Sequence, residues 1–294
     1  MSIKEKLEEV QENVSLLEHA TFRIGGPARY FFVAKDKEDL KKAVLAAKDS
    51  GIPFLILGLG SNVLISDKGF DGLVIKNKAN RFNIENNLLK TESGVLLDRL
   101  AEETVKRGFS GLEKASGIPG TIGGAVFGNA GWFKGEWSLA DVFKEAEILT
   151  EKGETERKEK EWFDFGYRDS KLKRKKGIVV LEVVLKLKKG ERENLEKKRA
   201  EFLKTRTGKI PLNYSAGCIF KNPSQKSAGF LIDSTGLKGK KIGQAQISEK
   251  HANFIINLGQ AKAEDVKKLI SFAKEKVKEK FGIELKEEIK MIGG

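Results

Sequence analysis

The sequence predicts a protein of mixed helix and strand, divided into two or three domains. Three observations carry this. The chain has 294 residues, and about 100–200 residues make one domain. Hydrophobic residues make up 39% and charged residues 33%, enough for packed cores and too apolar for a disordered chain. Strand-like apolar runs alternate with helix-like segments, and a shift to heavy charge near 189–200 marks a boundary.

The elements follow in order. Leu7, Val10, Val14 and Leu17 stand at helical spacing, so the first twenty residues read as an amphipathic helix. This segment lacks an apolar h-region and a small-residue cleavage site, which suits a cytoplasmic protein. Arg29 to Val33 is a short apolar strand. Asp36 caps a helix over Lys37 to Lys48, and Gly51 lies just past its end. Pro53 to Leu57 is an apolar strand running into glycines, and Leu73 to Lys76 is another. This order predicts a small α/β unit over 1–75. Over 76–190, strands at Leu88 to Thr91, Ala146 to Thr150 and Ile178 to Leu187 surround a helix at Val95 to Arg107. A Gly-rich segment, 116–131, lies among them. Over 191–294 come a charged helix, Glu191 to Thr205, and a Gly/Ser-rich turn. An apolar helix, Ala228 to Thr235, a strand, Ala252 to Asn257, and a helix, Ala263 to Phe281, follow. The last element is a short strand, Glu288 to Ile292.

Several classes are excluded. No apolar run approaches 18 residues; the richest, Gly177 to Leu187, is interrupted by Glu182 and Lys186. The single cysteine, Cys218, allows no intramolecular disulfide. With only His19 and His251 beside it, no metal site is expected. The formal net charge is +13. A nucleic-acid partner would need clustered cations with exposed aromatics. Here the charges are dispersed and mixed in sign, and the densest run, Lys171 to Lys176, reads as a solvated loop. An anionic small-molecule ligand gives the surplus charge a simpler use.

Five segments carry candidate chemistry, and each has a plain structural alternative. Gly58-Leu59-Gly60-Ser61-Asn62 directly follows a strand. Its glycines let backbone approach a ligand or simply make a tight turn. It is no Rossmann fingerprint, because Val63 stands where a third glycine belongs. Ser116 to Ala125, continuing to Asn129-Ala130-Gly131, interleaves glycines with Ile118, Ile122 and Val126. This suits buried backbone against a flat ligand, or a tightly packed helix start. Tyr167-Arg168-Asp169-Ser170 offers a guanidinium for bidentate binding of a carboxylate, or an ordinary surface turn. Ser215 to Pro223 holds Cys218, a catalyst or a small buried hydrophobe. Glu284 to Gly293 contains glutamates that face a site or solvent.

Taken together and in order, these segments resemble the UDP-N-acetylenolpyruvoylglucosamine reductases, the MurB flavoenzymes of peptidoglycan precursor synthesis. The resemblance starts at Thr21-Phe-Arg-Ile-Gly-Gly-Pro27 and runs through Gly58 to Leu64, Ser116 to Gly131 and Tyr167 to Ser170. It continues through Gly217 to Pro223 and Lys250-His-Ala-Asn-Phe254, and ends at Glu288 to Gly293. It implies an α+β fold: a vanillyl-alcohol-oxidase-type (PCMH-type) FAD-binding module of two subdomains, 1–75 and 76–190, with noncovalent FAD between them. An α/β substrate-binding domain over 191–294 follows. The chain looks like the shorter type of the family, without the extra substrate loop.

The resemblance further implies that Gly58, Gly60, Ser61, Asn62, Ser116, Gly117, Ile118, Gly120, Thr121, Gly123, Gly124, Ala125 and Asn129 bind the cofactor. Arg168, Cys218 and Glu288 fall on the family's catalytic positions. Tyr167, Lys209, Asn222 and Lys290 are assigned to the UDP-sugar. The implied reaction takes hydride from NADPH through FAD to C3 of an enolpyruvyl ether. Arg168 and Glu288 then stabilise the enolate-like charge, and Cys218 protonates C2. Cysteine replaces the family's usual serine at 218. Two further departures are Leu59 in place of a glycine and Trp132-Phe133 where smaller residues or Tyr are commoner. The remaining expectations are a monomer with no nucleic-acid or membrane partner. A flavin oxidase with tethered FAD is the competing enzyme; neither Gly-rich loop holds a His or Cys for the tether.

Overall fold

A computed structural model describes residues 3–131 and 136–293; Trp132 and Phe133 lie outside the described residues. The chain divides into two units, each assembled from separate stretches. The first comprises Met1–Val10, Phe31–Gly58 and Leu73–Arg206; the second comprises Gln11–Tyr30, Leu59–Gly72 and Thr207–Gly294.

In the first unit, helix Lys37–Asp49 begins at Asp36, whose carboxylate accepts from the backbone N–H of Glu38 at 3.1 Å and Asp39 at 2.9 Å. Two of the helix's otherwise unsatisfied donors are thereby met. Leu40, Ala43, Val44 and Ala47 recur at helical spacing and are buried. Strand Phe54–Leu57 runs parallel to Phe70–Asn77, with Phe54 opposite Leu73 and Leu57 opposite Lys76. An antiparallel five-stranded sheet has the order Thr155–Glu159, Phe143–Leu149, Val179–Lys186, Leu88–Glu92, Phe82–Glu85. Its central strand, VVLEVVLK, is buried from Val179 through Leu185. The one acid in that run, Glu182, is held by Lys90 at 3.2 Å, Lys37 at 3.4 Å and Arg157 at 3.6 Å. A buried carboxylate without such partners would be strongly destabilising. Lys37 also reaches Glu147 at 3.2 Å, so the network ties the Lys37–Asp49 helix to the sheet.

The second unit is built on an antiparallel sheet of order Tyr214–Cys218, Phe254–Asn257, Ala245–Ile247, Lys241–Ile242. Helix Ala263–Phe281 buries Val266, Leu269, Ile270, Ala273 and Val277 and ends at Gly282, whose φ of 67° suits a left-handed cap. These residues share a core with Phe22, Ile219, Phe220, Leu231 and Ile255. Strand Lys290–Ile292 pairs in parallel with Val63–Ile65.

Two expectations change, and the helix start weighed for the Gly-rich segment is present. The N-terminal helix covers only Ile3–Lys6; Gln11–Ser15 is a strand. Asn13 there has φ 53°, which no helix tolerates, and Leu16 is buried while Leu17 is 39% exposed. The apolar spacing of Leu7, Val10, Val14 and Leu17 thus does not define one buried face. The Gly-rich segment contains a short helix, Ile122–Gly128, capped by the Thr121 hydroxyl, which accepts from Gly124 N–H at 3.3 Å. The charged helix extends over Arg192–Lys209.

Candidate active site

The first unit brings Gly58, which opens one Gly-rich segment, against the other at Thr121. A Cβ on Gly58 would lie 2.5 Å from the Thr121 hydroxyl oxygen, so only glycine lets that backbone close on the cap of the Ile122–Gly128 helix. Gly123 N–H donates to Ser93 O at 2.8 Å, and Ile122 N–H to Val95 O at 2.8 Å. These bonds pin the helix start against the strand–helix connection at 93–95. Ser116 is fully buried, and its Oγ has no hydrogen-bond partner among the described residues. The turn at Gly117 is held from two sides. Its N–H donates to Asp98 Oδ1 at 2.8 Å, and Arg206 Nε donates to Ser116 O at 3.2 Å. Arg199 joins Asp98 at 3.2 Å.

Arg168 sits in a tight turn of the same unit. Gly166 and Asp169 exchange two backbone hydrogen bonds, at 3.0 and 3.2 Å, and Arg168 between them has φ 53°. A left-handed conformation is unfavourable for an Arg and persists only where the surroundings enforce it. Three contacts do so. Arg168 NH2 donates to Gly131 O at 2.9 Å, Lys173 Nζ donates to Arg168 O at 2.8 Å, and the guanidinium lies 5.5 Å from the Tyr167 ring centroid. A Cβ on Gly131 would stand 2.6 Å from the Arg168 guanidinium, so that glycine makes room for it. Asn129, 6% exposed, braces the turn: its Nδ2 donates to Gly166 O at 2.8 Å and its Oδ1 accepts from Ala140 N–H at 3.1 Å. Ser170 Oγ donates to Phe127 O at 2.8 Å. Arg168 is therefore a positioned guanidinium, as bidentate anion binding requires.

The second unit gathers Ser61, Asn62, Cys218, Glu288 and Lys290. Strand Tyr214–Cys218 pairs Ser215 with Ile256 and Cys218 with Phe254, which leaves one extra residue on the Cys218 side. Gly217, with φ 76°, absorbs this bulge. A bulge of this kind re-aims the side chain that follows it, here the half-buried Cys218 thiol. The next residue, Ile219, accepts from Glu288 N–H at 2.7 Å. Asn62 Nδ2 donates to Glu288 O at 3.3 Å, and Lys290 N–H donates to Asn62 O at 2.9 Å. Glu288 thus lies where the chain passes from pairing with Phe220 to pairing with Val63–Ile65. Gly60 has φ 76°, and a Cβ there would meet His19 O at 2.5 Å.

Other assigned residues stand apart from these clusters in what holds them. Lys209 is exposed at the end of helix Arg192–Lys209. Asn222 is exposed, and its Oδ1 accepts from Ala228 N–H at 3.0 Å, which closes the turn before helix Ala228–Ser234. Tyr167 is 51% exposed. The sequence did not show which residues act at long range on these segments, Thr21 being named there only as the start of a motif. Thr21 Oγ1 donates to Ser215 O at 2.8 Å and its N–H to Gly60 O at 3.2 Å. Asn257 Nδ2 donates to Phe22 O at 3.0 Å. Arg206 acts on Ser116. The signal available for them was a polar residue, Thr21 or Asn257, set at the edge of an apolar run.

Comparison with known proteins follows the same order along the chain. Residues 28–158 match the family described as FAD binding domain. Residues 210–292 match the C-terminal domain of UDP-N-acetylenolpyruvoylglucosamine reductase. A reductase of that name from Caldicellulosiruptor bescii is 48% identical over 282 residues, covering 95% of this chain and 89% of the relative. One from Clostridium novyi is 40% identical over 288 residues, covering 97% and 93%. The crystal structure of UDP-N-acetylenolpyruvylglucosamine reductase from Thermus caldophilus has a TM-score of 0.83 to this chain at 37% identity, covering 96% of this chain and 98% of that one.

Proposed function

The chain belongs to the family of UDP-N-acetylenolpyruvoylglucosamine reductases, and from that premise we propose which of its residues perform the family's reaction. The protein is an FAD-containing oxidoreductase that reduces UDP-N-acetylglucosamine enolpyruvate to UDP-N-acetylmuramate, with NADPH as hydride donor, in peptidoglycan precursor synthesis. The observation that carries this is similarity at 48% identity along 95% of the chain.

The residues of the Gly-rich segments fit the cofactor. Ser116 Oγ is an orphaned buried hydroxyl, which costs about 1–3 kcal/mol unless a ligand satisfies it. On helix Ile122–Gly128, a Cβ at Gly124 would meet only the Thr121 hydroxyl, at 3.5 Å, and one at Gly128 would meet nothing within 4 Å. Packing among the described residues does not demand glycine at these two positions, which leaves bare backbone there for a flat ligand. Gly58, Gly60, Ser61, Asn62, Ser116, Gly117, Ile118, Gly120, Thr121, Gly123, Gly124, Ala125 and Asn129 are our assignment for FAD. When bound, FAD accepts hydride from NADPH and supplies it to C3 of the enolpyruvyl group.

The chain's own groups handle the charge and the proton. Hydride addition at C3 leaves negative charge on C2 that spreads into the substrate carboxylate. We assign Arg168 to that carboxylate: its guanidinium is held in place before substrate arrives, and preorganised charge stabilises a transition state best. We assign Glu288 to the same group, to which it would donate a hydrogen bond if its setting keeps it protonated. Cys218 delivers a proton to C2. Tyr167, Lys209, Asn222 and Lys290 hold the UDP-sugar. We assign residues 1–75 and 76–190 mainly to the cofactor, with Tyr167 and Arg168 reaching the substrate, and 191–294 to the substrate; a cofactor-domain match at 28–158 ahead of a reductase C-terminal match at 210–292 supports that order along the chain. The protein works in the cytoplasm as a monomer, without nucleic-acid or membrane partners. Among the described residues no helix is long and apolar enough to cross a membrane.

The FAD is noncovalent, because neither Gly-rich segment offers a His or Cys for attachment. Purified protein is expected to be yellow, and acid denaturation is expected to release all the flavin into solution. Flavin that stays with the denatured polypeptide contradicts this.

A further inference from the structure

The Lys250-His-Ala-Asn-Phe254 motif has no part in the chemistry assigned so far, yet its Asn253 makes an unusual set of contacts. Asn253 is 2% exposed. Its Oδ1 accepts from Phe220 N–H at 2.9 Å, and its Nδ2 donates to Phe220 O at 2.8 Å. The carboxamide thus pairs with Phe220 as a neighbouring strand residue would. Its own carbonyl accepts from Ile219 N–H at 2.8 Å. Its own N–H donates to His251 Nδ1 at 3.2 Å, which requires that nitrogen to be unprotonated. Burial, aided by Lys238 and Lys209, holds the His251 imidazole below its ordinary pKa and keeps that acceptor available.

The other edge of the same segment carries Glu288. Phe220 bridges Glu287, Glu288 N–H donates to Ile219 O at 2.7 Å, and Lys221 N–H donates to Lys286 O at 2.9 Å. Residues 219–221 are therefore gripped by Asn253 on one edge and by 286–288 on the other. Cys218 precedes this grip by one residue, directly after the bulge at Gly217. Cys218 is the last ladder pair after the bulge, opposite Phe254, so the direction of the chain past it depends on what holds residues 219–221.

We infer that Asn253 is a positioning residue, which fixes the Cys218 thiol and the Glu288 backbone through Ile219 and Phe220. The inference rests on the reading of Cys218 and Glu288 as reacting groups. It goes beyond that reading in naming what sets their geometry.

The test uses FAD-loaded protein and Asn253→Asp, in which a carboxylate oxygen replaces the donor that faces Phe220 O. Asn253→Ser serves as the second variant should the first fail to fold; flavin content and thermal midpoint report folding. Two readouts are taken. Cys218 is the chain's only cysteine, so the rate of alkylation by iodoacetamide reports its setting alone. Anaerobic mixing reports bleaching of the flavin by NADPH and the return of colour with UDP-N-acetylglucosamine enolpyruvate. The expected result is a several-fold change in alkylation rate and nearly normal bleaching. Colour return slows by about a hundredfold, the scale of an ångström-sized misplacement. Altered alkylation with normal colour return keeps Asn253 as the holder of Cys218 and removes Cys218 as the acid instead. Unchanged alkylation, whatever the turnover, overturns the inference.

Discussion

Cys218→Ala is expected to leave bleaching of the flavin by NADPH nearly intact and to slow the return of colour with substrate by about 10²–10⁴-fold, the usual worth of a positioned acid. NADPH oxidation needs no proton at C2, so the two half-reactions separate the role of Cys218 from any effect on the cofactor. A thiol has an ordinary pKa of about 8.5, so it is mostly protonated at neutral pH and is far more acidic than a serine hydroxyl. Cys218→Ser is therefore expected to retain much of the second half-reaction and to lose its dependence on pH above neutrality. The sign follows from the thiol: as pH rises through its pKa the proton is lost, and the parent slows while the serine variant does not. Stopped-flow traces of both half-reactions between neutral and alkaline pH check this. If Cys218→Ala recovers its colour as fast as the parent, the proton comes from another group.

Arg168→Ala is the second large effect. Losing the charge-assisted contact to the substrate carboxylate is expected to cost about 2–4 kcal/mol of transition-state stabilisation. Flavin content should stay normal, because Arg168 is assigned to substrate and its tethers run to Gly131 and Tyr167. The backbone supplies an independent check. Arg168 has φ 53°, a conformation that costs an L-residue roughly 1–2 kcal/mol and glycine almost nothing. Arg168→Gly should thus unfold at a higher temperature than Arg168→Ala while being equally inactive. Equal melting of the two variants would mean that the turn relaxes freely, and the guanidinium would not be preorganised. Normal turnover in either variant would remove Arg168 from the carboxylate.

Much of the scaffold was legible because its elements carry their own punctuation. Helix Ala263–Phe281 combines six buried positions at helical spacing with a glycine stop, and its bounds agree with the sequence reading. Asp36 marks the start of Lys37–Asp49 for the same reason. Two of the strands that escaped notice are polar edges. Thr155–Glu159, TERKE, and Phe82–Glu85, FNIE, lie at the two ends of the five-stranded sheet. An edge strand needs little apolar surface and is protected by charge, so its sequence resembles a loop. Tyr214–Cys218 was hidden by its own bulge, since Gly217 reads as a turn. The N-terminal segment erred in the other direction, because four apolar residues at helical spacing also fit a strand and a 3₁₀ turn.

The candidate site divides along similar lines. The glycines at 58, 60 and 131 could be picked out, because close backbone approach leaves glycine as the only residue that fits. The residues that hold the reactive groups could not. Thr21 and Ser215 are 194 positions apart, Asn253 and Phe220 are 33 apart, and Asn257 and Phe22 are 235 apart. Such hydrogen bonds have no periodicity in the chain. They are created by the fold that brings the partners together.

The assigned reaction is tested by anaerobic sequential mixing of the FAD-loaded protein, first with one equivalent of NADPH and then with UDP-N-acetylglucosamine enolpyruvate, followed by flavin absorbance. Bleaching is expected in the first step and complete return of colour in the second, with one UDP-N-acetylmuramate formed per flavin. A flavin that bleaches with NADPH but stays bleached with the enolpyruvyl substrate, and regains its colour only when air is admitted, would contradict the assigned reaction.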